Sequence, residues 1–302
     1  MTSVEQDTPN LPRRLKIVLL ESLSSWVIHR GDSKGAALAF YTLFSMTPIL
    51  MLAIVIAGSV FGAEAAQGEI VAQVQGLVGP NGAKAIQALL AAARDPASGR
   101  VATLVASILL LIGATSVFAE LKDSLDEIWD LAKPSQSSFS VILRTRLLSF
   151  GMVLALAFLL LVSLIVSATL AMLEGYMGGV LGSFAAVLAT FTSLISFGVI
   201  ACMFAIIYKT LPDAPLAWHD VWIGAAFTAG LFSLGKYVIG LYLGNSGVAS
   251  SFGSAGSLIA LLLWVYYSAQ IFFLGAEFTR HYALWFGSLQ HERLQPGVNR
   301  DA

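Results

Sequence analysis

Charged residues are scarce in this sequence: Asp, Glu, Lys and Arg together make up 12% of its 302 residues. A soluble globular domain carries about 25%. Apolar residues make up 57% of the chain, and its mean hydropathy is +0.80. Because this number of charges is too small to cover a surface exposed to water, the composition predicts a polytopic membrane protein. Because most of the chain lies in apolar blocks, we expect one integrated bundle rather than two domains.

Cysteine is almost absent as well. The single Cys202 lies inside an apolar run, which excludes an intramolecular disulfide and a cysteine-based metal site. The four histidines show no HxxxH or HExxH spacing and have no neighbouring Asp cluster, so no metal is expected. The chain also lacks a GxxxxGK[ST] phosphate loop. Its formal net charge of -1 gives no bias toward nucleic acid.

One short segment matches a catalytic pattern. Residues 31–35 read Gly-Asp-Ser-Lys-Gly, which fits the G-x-S-x-G nucleophile elbow. That motif acts on a strand-to-helix turn of an α/β sheet. Here it precedes a long apolar stretch and is predicted to join two helices at a membrane surface. The sequence therefore predicts that the protein is not an enzyme and has no cofactor, and an integral-membrane nuclease is the least favoured class.

Six apolar windows are long enough to cross a bilayer, whose core of about 30 Å takes about 20 helical residues. The windows are residues 36–61, 100–119, 147–173, 180–208, 221–243 and 257–279. Strands of a membrane barrel would be short and would alternate apolar with polar residues. The predicted fold class is therefore an all-α integral membrane protein with six transmembrane helices in residues 35–285.

Lys and Arg flank these windows unevenly. Thirteen of the 17 lie on the side that holds both termini, three lie on the other side, and Lys236 falls inside the fifth window. Basic residues are enriched on the cytoplasmic side of membrane proteins. The distribution predicts a cytoplasmic N-terminus over residues 1–34 and a cytoplasmic tail over residues 286–302.

Three segments outside the windows show helical patterns. Residues 15–29 place apolar side chains on one side, which is typical of an interfacial helix ahead of the first span. Residues 69–93 lie on the outer side and show apolar spacing of three and four residues, interrupted at Gly79-Pro80-Asn81. They predict an extracytoplasmic helical hairpin. Residues 121–130 predict an amphipathic extension of the second span along the cytoplasmic surface.

Several segments resemble one known family in their order and spacing. They are AALAFYTLFSMTPIL at 36–50, AELKDSLDEIWD at 119–130, LPDAPLAWHDVWIGAAF at 211–227 and GSLIALLLWVYYSAQIFFLGAEF at 256–278. In these the chain resembles the YihY/BrkB family of bacterial inner-membrane proteins, from about residue 30 to 285. The resemblance implies a multi-pass protein of the cell inner membrane, concerned with the transport of lipids or other envelope molecules. Members were once labelled ribonuclease BN, but the residues of this chain give that label no support.

Lys236 stands alone among apolar residues, with no acidic residue between Asp220 and Glu277. An ammonium near the centre of a membrane helix costs about 2.5–3.5 kcal/mol on insertion scales. Residues 244–257, on the outer side, are rich in glycine and serine and could form an anion-binding nest above it. The predicted substrate-binding residues are Lys236, Gly253, Ser254, Gly256, Ser257, Tyr41, Ser45 and Gln270. A snorkelling lysine, a solvent-exposed loop and a helix–helix hydrogen bond at Gln270 remain the structural alternatives.

Two further sets complete the predicted site. Tyr41, Ser45 and Pro48 share one face of the first span, and Pro48 is expected to kink that helix because it cannot donate to the carbonyl of Phe44. The charges expected at the inner face are Glu277, Arg280 and Glu120. Glu277 lies near the cytoplasmic end of its span, about 15 Å in depth from Lys236, and is expected to pair with Arg280, Lys34 or Lys122.

These features favour a protein that moves or binds an anionic lipid or other envelope amphiphile, through a cavity between spans 1, 5 and 6 that opens to the outer leaflet. One alternative is an ion-coupled small-solute transporter, with Lys236 and Glu277 as separate charge relays. Another is a non-transporting membrane scaffold. Membrane lipids are the expected partners, nucleic acid is not expected, and a homo-oligomer is left open.

Overall fold

The structure is a computed structural model and describes residues 10–93, 116–117, 119–131, 185–245 and 256–291. Within these ranges all regular structure is helical and no strand is present. This confirms the all-α prediction for the described part of the chain. The predicted window 147–173 and most of 100–119 lie outside these residues, so the prediction of six spans stays a prediction.

Seven helices make up the described part of the chain. In chain order they are α1 (Leu11–Ile28), α2 (Gly31–Phe61), α3 (Ala63–Ala93), α4 (119–128), α5 (Ala185–Thr210), α6 (Trp218–Asn245) and α7 (Gly256–Trp285). Helix α7 lies at the centre and packs against α1, α2, α3 and α6, while α5 packs against α6. The place along α7 at which each helix packs therefore determines which other helices lie near one another.

Three helices in the described part are long and apolar enough to cross a membrane. They contain the stretches Ser193–Thr210, Trp218–Tyr242 and Gly256–Trp285. These correspond to the fourth, fifth and sixth predicted windows, and α2 covers the first. Helix α6 also exposes large apolar side chains, which are Leu234, Tyr237, Val238, Leu241 and Tyr242. An exposed apolar surface of this kind marks a membrane or protein contact.

Glycines allow α6 and α7 to approach closely along antiparallel paths. A Cβ atom on Gly224 would overlap the hydroxyl of Thr279, and one on Gly275 would overlap the hydroxyl of Thr228. Further along the same contact, one on Gly235 would overlap the side chains of Tyr267 and Ile271. Small residues at such contacts bring helix backbones together in membrane proteins. The contact between α6 and α7 thus depends on the missing side chains of these glycines.

A buried tyrosine links α5 to this pair of helices. The hydroxyl of Tyr208 donates to the backbone carbonyl of Phe272 (2.7 Å) and lies 3.2 Å from the hydroxyl of Thr228. Its ring contacts Phe204 and Phe272. Tyr208 is fully buried, so its hydroxyl needs a partner inside the bundle. One hydrogen-bonded side chain therefore connects all three helices.

The predicted helical hairpin over residues 69–93 is wrong in one respect. Helix α3 runs without interruption from Ala63 to Ala93, through Gly79, Pro80 and Asn81. A proline inside a helix removes one hydrogen bond, and neighbouring helices can compensate for that loss in membrane proteins. Buried residues of α3 share an apolar cluster with α2 and α7, and this packing helps to hold α3 in place. The reversal of the chain lies instead between α2 and α3 at Gly62, whose φ of 88° favours glycine.

Helix α1 lies against the C-terminal half of α7. Val18 is fully buried and clusters with Phe278 and Trp285. On its other side α1 exposes a row of apolar residues: Leu11, Leu15, Leu19, Leu20, Leu23, Val27 and Ile28. The helix and its two-sided character agree with the sequence pattern, and its place at a membrane interface stays a prediction.

The glycine contact between α6 and α7 gives a testable prediction. Gly275→Ala should lower the stability of the protein by about 1–3 kcal/mol, because the added methyl group would overlap the hydroxyls of Thr228 and Tyr208. The measurement is thermal unfolding of the detergent-solubilised protein, followed by circular dichroism.

Gly230→Ala is the matched control on α6. A Cβ at Gly230 meets no atom within 4 Å, so this change should leave stability unaltered or raise it by about 0.5–1 kcal/mol. Equal unfolding temperatures for the two variants would show that the glycine contact does not hold α6 to α7.

Candidate functional site

A groove of about 320 Å³ lies between α1, α6 and α7. Its α6 wall consists of Leu231, Leu234, Gly235 and Val238, which follow one another at helical spacing on one face of the helix. Tyr267, Gln270, Ile271 and Leu274 form the α7 wall with the same spacing. Leu23 and Trp26 of α1 close the third side. None of the described residues that line this groove is charged.

The groove is open on the outer surface of the bundle. Three residues in its walls have side chains that are at least half exposed: Leu23 at 50%, Leu234 at 63% and Val238 at 51%. Leu234 and Val238 belong to α6, one of the helices able to cross a membrane. The groove therefore faces whatever surrounds the helices at this level.

Two polar atoms in the groove walls are buried without a hydrogen-bond partner. They are the indole N–H of Trp26, a donor, and the Oε1 of Gln270, an acceptor. The amide nitrogen of Gln270 donates to the backbone carbonyl of Asp32 (3.4 Å), so only its oxygen is left over. A buried polar atom without a partner costs about 1–3 kcal/mol. Both atoms have almost no exposed surface, so a bound molecule could reach them only if these side chains moved.

Both side chains lie against the first turns of α2. A Cβ atom on Gly31 would overlap the indole of Trp26, and one on Gly35 would overlap the amide of Gln270. The two glycines are one turn apart, about 6 Å along the helix axis. They are also the two glycines of the G-x-S-x-G match. The pattern thus serves close packing of polar side chains against a helix, and not a nucleophile elbow.

Of the described residues that were predicted to bind substrate, only Gln270 lines the groove. Lys236 is half-buried on a different face of α6, and its ammonium lies 5.6 Å from the ring centroid of Tyr237. It follows Phe232 by one turn, and the ring of Phe232 contacts Phe204 of α5 and Trp264 of α7. Lys236 therefore lies on the side of α6 that faces α5.

The structure does not bring the other predicted residues to the groove. Tyr41 is exposed, and the buried hydroxyl of Ser45 donates to the carbonyl of Tyr41 (2.8 Å), within its own helix. Gly256 is buried and Ser257 half-buried at the start of α7. Gly253 and Ser254 lie outside the described residues, so the anion-binding nest stays a prediction.

The groove between α1, α6 and α7 is a different site, and the predicted cavity between spans 1, 5 and 6 stays a prediction. The helix kink at Pro48 also stays a prediction: the residue lies inside α2, which continues on both sides of it.

Glu277 is fully buried on α7, and its partner is not one of the expected cations. Its Oε1 lies 2.6 Å from the Nδ1 of His29, the residue that follows α1. Its Oε2 has no hydrogen-bond partner. The prediction of Arg280, Lys34 or Lys122 as partner is wrong, because each of those cations pairs with an aspartate or glutamate of another segment.

Those pairs connect α4 to the bundle. Arg280 pairs with Asp130, and the Nζ of Lys34 lies 2.9 Å from Glu127. Lys122 lies 3.0 Å from Asp126 and 2.8 Å from Asp213. Glu120 is half-buried on the same helix.

The pKa of Lys122 shows how firmly this ammonium is held. Its burial acts to lower the pKa, but hydrogen bonds and the charges of Asp213 and Asp126 outweigh that effect and raise it above the usual value. A cation with a raised pKa contributes its full stabilisation below its ordinary pKa and loses it only as the pH rises through the raised value. The link between α4 and the segment before α6 is therefore fully formed at neutral pH.

A second pair of titratable groups holds α1 against the end of α7. The hydroxyl of Ser25 lies 2.9 Å from the Nε2 of His281, whose Nδ1 lies 3.4 Å from Glu21. Glu21 also accepts a hydrogen bond from the indole N–H of Trp285 (2.6 Å), and Arg14 donates to the backbone carbonyl of Trp285 (2.8 Å).

Within the part of the chain that the structure describes, no three His, Cys, Asp or Glu side chains could hold a metal ion together.

Sequence reasoning missed His29, Trp26 and the two glycines. His29 reads as one of several interfacial histidines, since nothing in the chain links it to a residue 248 positions away. One part of this site can be found from the sequence, because an ionisable residue within an apolar span indicates a functional site by default. That rule identifies Glu277 but not its partner.

Comparison with known proteins places the chain in one group. A family model described as Virulence factor BrkB matches residues 23–294. A UPF0761 membrane protein of Verminephrobacter eiseniae is 27% identical over 260 residues, which cover 83% of this chain and 59% of that protein. Those of Acinetobacter baylyi (24% over 253 residues; 82% and 58% covered) and Alcanivorax borkumensis (22% over 308 residues; 98% and 68% covered) are also similar. The chain thus spans under two thirds of the length of the first two relatives. No solved structure matches it significantly.

The packing of Gln270 on Gly35 gives the second prediction. Gly35→Ala should destabilise the protein by about 1–3 kcal/mol, since the new methyl group would displace the Gln270 amide from α2. Thermal unfolding in detergent measures the change.

A double-mutant cycle with Gln270→Ala tests the cause. Shortening Gln270 removes the overlapping atoms, so Gly35→Ala should have little effect in that background. If Gly35→Ala costs the same with and without the Gln270 side chain, the two residues do not pack as described.

Proposed function

The chain belongs to the virulence factor BrkB family of membrane proteins, and from that premise we propose that it binds a membrane amphiphile in the groove between α1, α6 and α7 and moves it between leaflets. The proposed location is the bacterial inner membrane, with both termini in the cytoplasm. The asymmetric distribution of Lys and Arg supports this orientation.

The single observation that carries the proposal is the open, uncharged groove in the wall of the bundle. Its lining is apolar apart from Trp26, Tyr267 and Gln270. Because Leu234 and Val238 belong to a helix able to span a membrane, acyl chains are the molecules that would surround them. A volume of about 320 Å³ is at the lower end for ligand sites, which suits one acyl chain better than a whole lipid.

In this proposal Trp26 and Gln270 turn toward the groove when the amphiphile binds, and their unpaired atoms supply the polar part of the recognition. A neutral group that both accepts and donates a hydrogen bond, such as a hydroxyl or an amide, would satisfy both atoms. Satisfying them would recover part of the cost of leaving them unpaired. The amphiphile therefore needs an apolar chain and a neutral polar group close to it.

The charge of the headgroup is a separate matter. Lys236 does not line the groove, so binding of the acyl chain does not depend on this lysine. The hypothesis that Lys236 selects an anionic headgroup is retained as a second, independent part of the proposal. The same experiment can test the two parts separately.

One observation favours coupling to an ion. Glu277 is a buried acid on a helix that can span the membrane, and it pairs with a histidine. Ionisable residues in such positions mark proton relays in pumps and transporters. The ion-coupled small-solute transporter is therefore the second candidate function, and it differs in predicting indifference to lipid.

The groove gives the third prediction. Leu234→Trp should fill the groove and reduce labelling of the protein by a phospholipid carrying a photoreactive acyl chain. We expect a loss of about tenfold, which corresponds to about 1.4 kcal/mol of binding free energy. The full chain is reconstituted in vesicles that contain the probe as phosphatidylglycerol or as phosphatidylethanolamine, and labelled peptides are identified by mass spectrometry.

Leu241→Trp is the matched control, because Leu241 is equally exposed on α6 but lies outside the groove. Lys236→Met tests the headgroup: it should reduce labelling by phosphatidylglycerol alone if the lysine selects anions. Equal labelling of the Leu234 and Leu241 variants would overturn the groove proposal. Transbilayer movement of a fluorescent lipid in the same vesicles separates binding from transport.

A further inference from the structure

The contact between His29 and Glu277 has the geometry of a proton-binding site. The carboxylate is fully buried, with one oxygen 2.6 Å from the Nδ1 of His29 and the other without a partner. An ionised carboxylate oxygen in apolar surroundings is costly to leave without a hydrogen bond. Protonation of the unpaired Oε2 would remove this cost, because it neutralises the charge of the carboxylate.

The neighbouring charges on the packed helices are engaged elsewhere. Lys34 of α2 pairs with Glu127 of α4, and Arg280 of α7 pairs with Asp130. His281 of α7 contacts Ser25 and Glu21 of α1. On α6, Asp220 accepts from Ser288 and lies beside His219. Within the described residues, His29 is thus the one side chain that hydrogen-bonds to Glu277.

We propose that His29 and Glu277 together form a proton-binding site whose occupancy sets how firmly α1 is held against α7. With one proton between them, the pair is neutral overall and its short hydrogen bond holds the end of α1 on α7. A second proton, taken from water, forms an O–H bond on the Oε2 of Glu277. The pair then consists of an imidazolium and a neutral acid with a net charge of +1, and the electrostatic attraction is lost.

The two side chains differ in their access to water. The side chain of His29 is 18% exposed, whereas that of Glu277 is 1% exposed. A proton can therefore reach the imidazole from solvent and pass to the carboxylate across the 2.6 Å contact. The more exposed of the two groups, His29, lies where α1 ends.

Release of α1 would change the groove. Leu23 and Trp26 lie six and three residues before His29 and form the α1 wall. Proton uptake would therefore loosen that wall and couple proton binding to entry of an amphiphile. This consequence rests on the proposed function, whereas the proton site does not, so the experiment below measures the site without any lipid substrate.

The test is a distance between α1 and α6 as a function of pH. In a Cys202→Ala background of the full chain, Ser24→Cys and Ala226→Cys introduce exposed attachment points for nitroxide labels. Double electron–electron resonance in lipid nanodiscs follows the distance from about pH 8.5 to about pH 4.5, the range in which free imidazole and carboxyl groups titrate. We expect a longer distance to gain population on acidification, by up to tenfold in the population ratio per pH unit for one proton.

Glu277→Gln should abolish this transition, because an amide keeps the size of the side chain but does not take up the proton. Because the neutral amide also lacks the charge that attracts His29, the longer distance should prevail in this variant at every pH, as in the natural chain at low pH. His29→Gln, usable even if the first variant does not fold, should move the midpoint to higher pH, since Glu277 then loses its positive neighbour.

Glu21→Gln is the matched control at the second contact between α1 and α7. It should leave the transition in place. A transition that persists in Glu277→Gln, one that only Glu21→Gln removes, an unmoved midpoint in His29→Gln, or a distance that does not change with pH would each overturn the proposal.

Discussion

Close approach of helices at glycine positions is the constraint on which the rest of this structure depends. Gly224, Gly235 and Gly275 allow α6 to lie against α7, and Gly31 and Gly35 allow polar side chains to lie against α2. Lipid chains are as apolar as leucine, so helices in a bilayer gain little from burying apolar surface and depend on close packing. The groove exists because α6 and α7 are held together along one line and α1 closes only part of the adjoining surface.

The contacts of α7 change in character along its length. Its first half shares an apolar cluster with α2 and α3, and its middle carries the contact with Tyr208. Its last turns carry Glu277 and His281, which contact α1 and the residue that follows it, and Arg280, which pairs with Asp130. Helix α1 therefore docks on α7 largely through groups that can gain or lose protons. Apolar packing at Val18 adds to these contacts but does not depend on pH.

The position of Lys236 illustrates why one residue in a span does not define a site. A lone ammonium among apolar residues marks α6 as unusual, but the side of the helix that it occupies depends on how α6 is rotated. Contacts of Phe232 and Gly235 set this rotation, and they turn Lys236 away from the groove. The same antiparallel contact places Tyr267 beside Gly235, the residue before Lys236. Tyr267 lies ten residues from Glu277 on α7, or about 15 Å. The predicted separation of the two charges thus agrees with the geometry.

Composition and hydropathy alone determined that this chain is helical and belongs in a membrane, and the apolar windows at the fourth to sixth positions match helices α5 to α7. These properties are local, because the length of an apolar run and the need to satisfy backbone hydrogen bonds within it leave little choice. The continuous helix through Gly79-Pro80-Asn81, the pairing of Glu277 with His29 and the use of Gly31 and Gly35 depended on the tertiary structure. Each involves packing or pairing with another segment, often more than a hundred residues away. A hydrogen bond or a close contact depends on where two residues lie in space, and the spacing of residues along the chain does not encode that position.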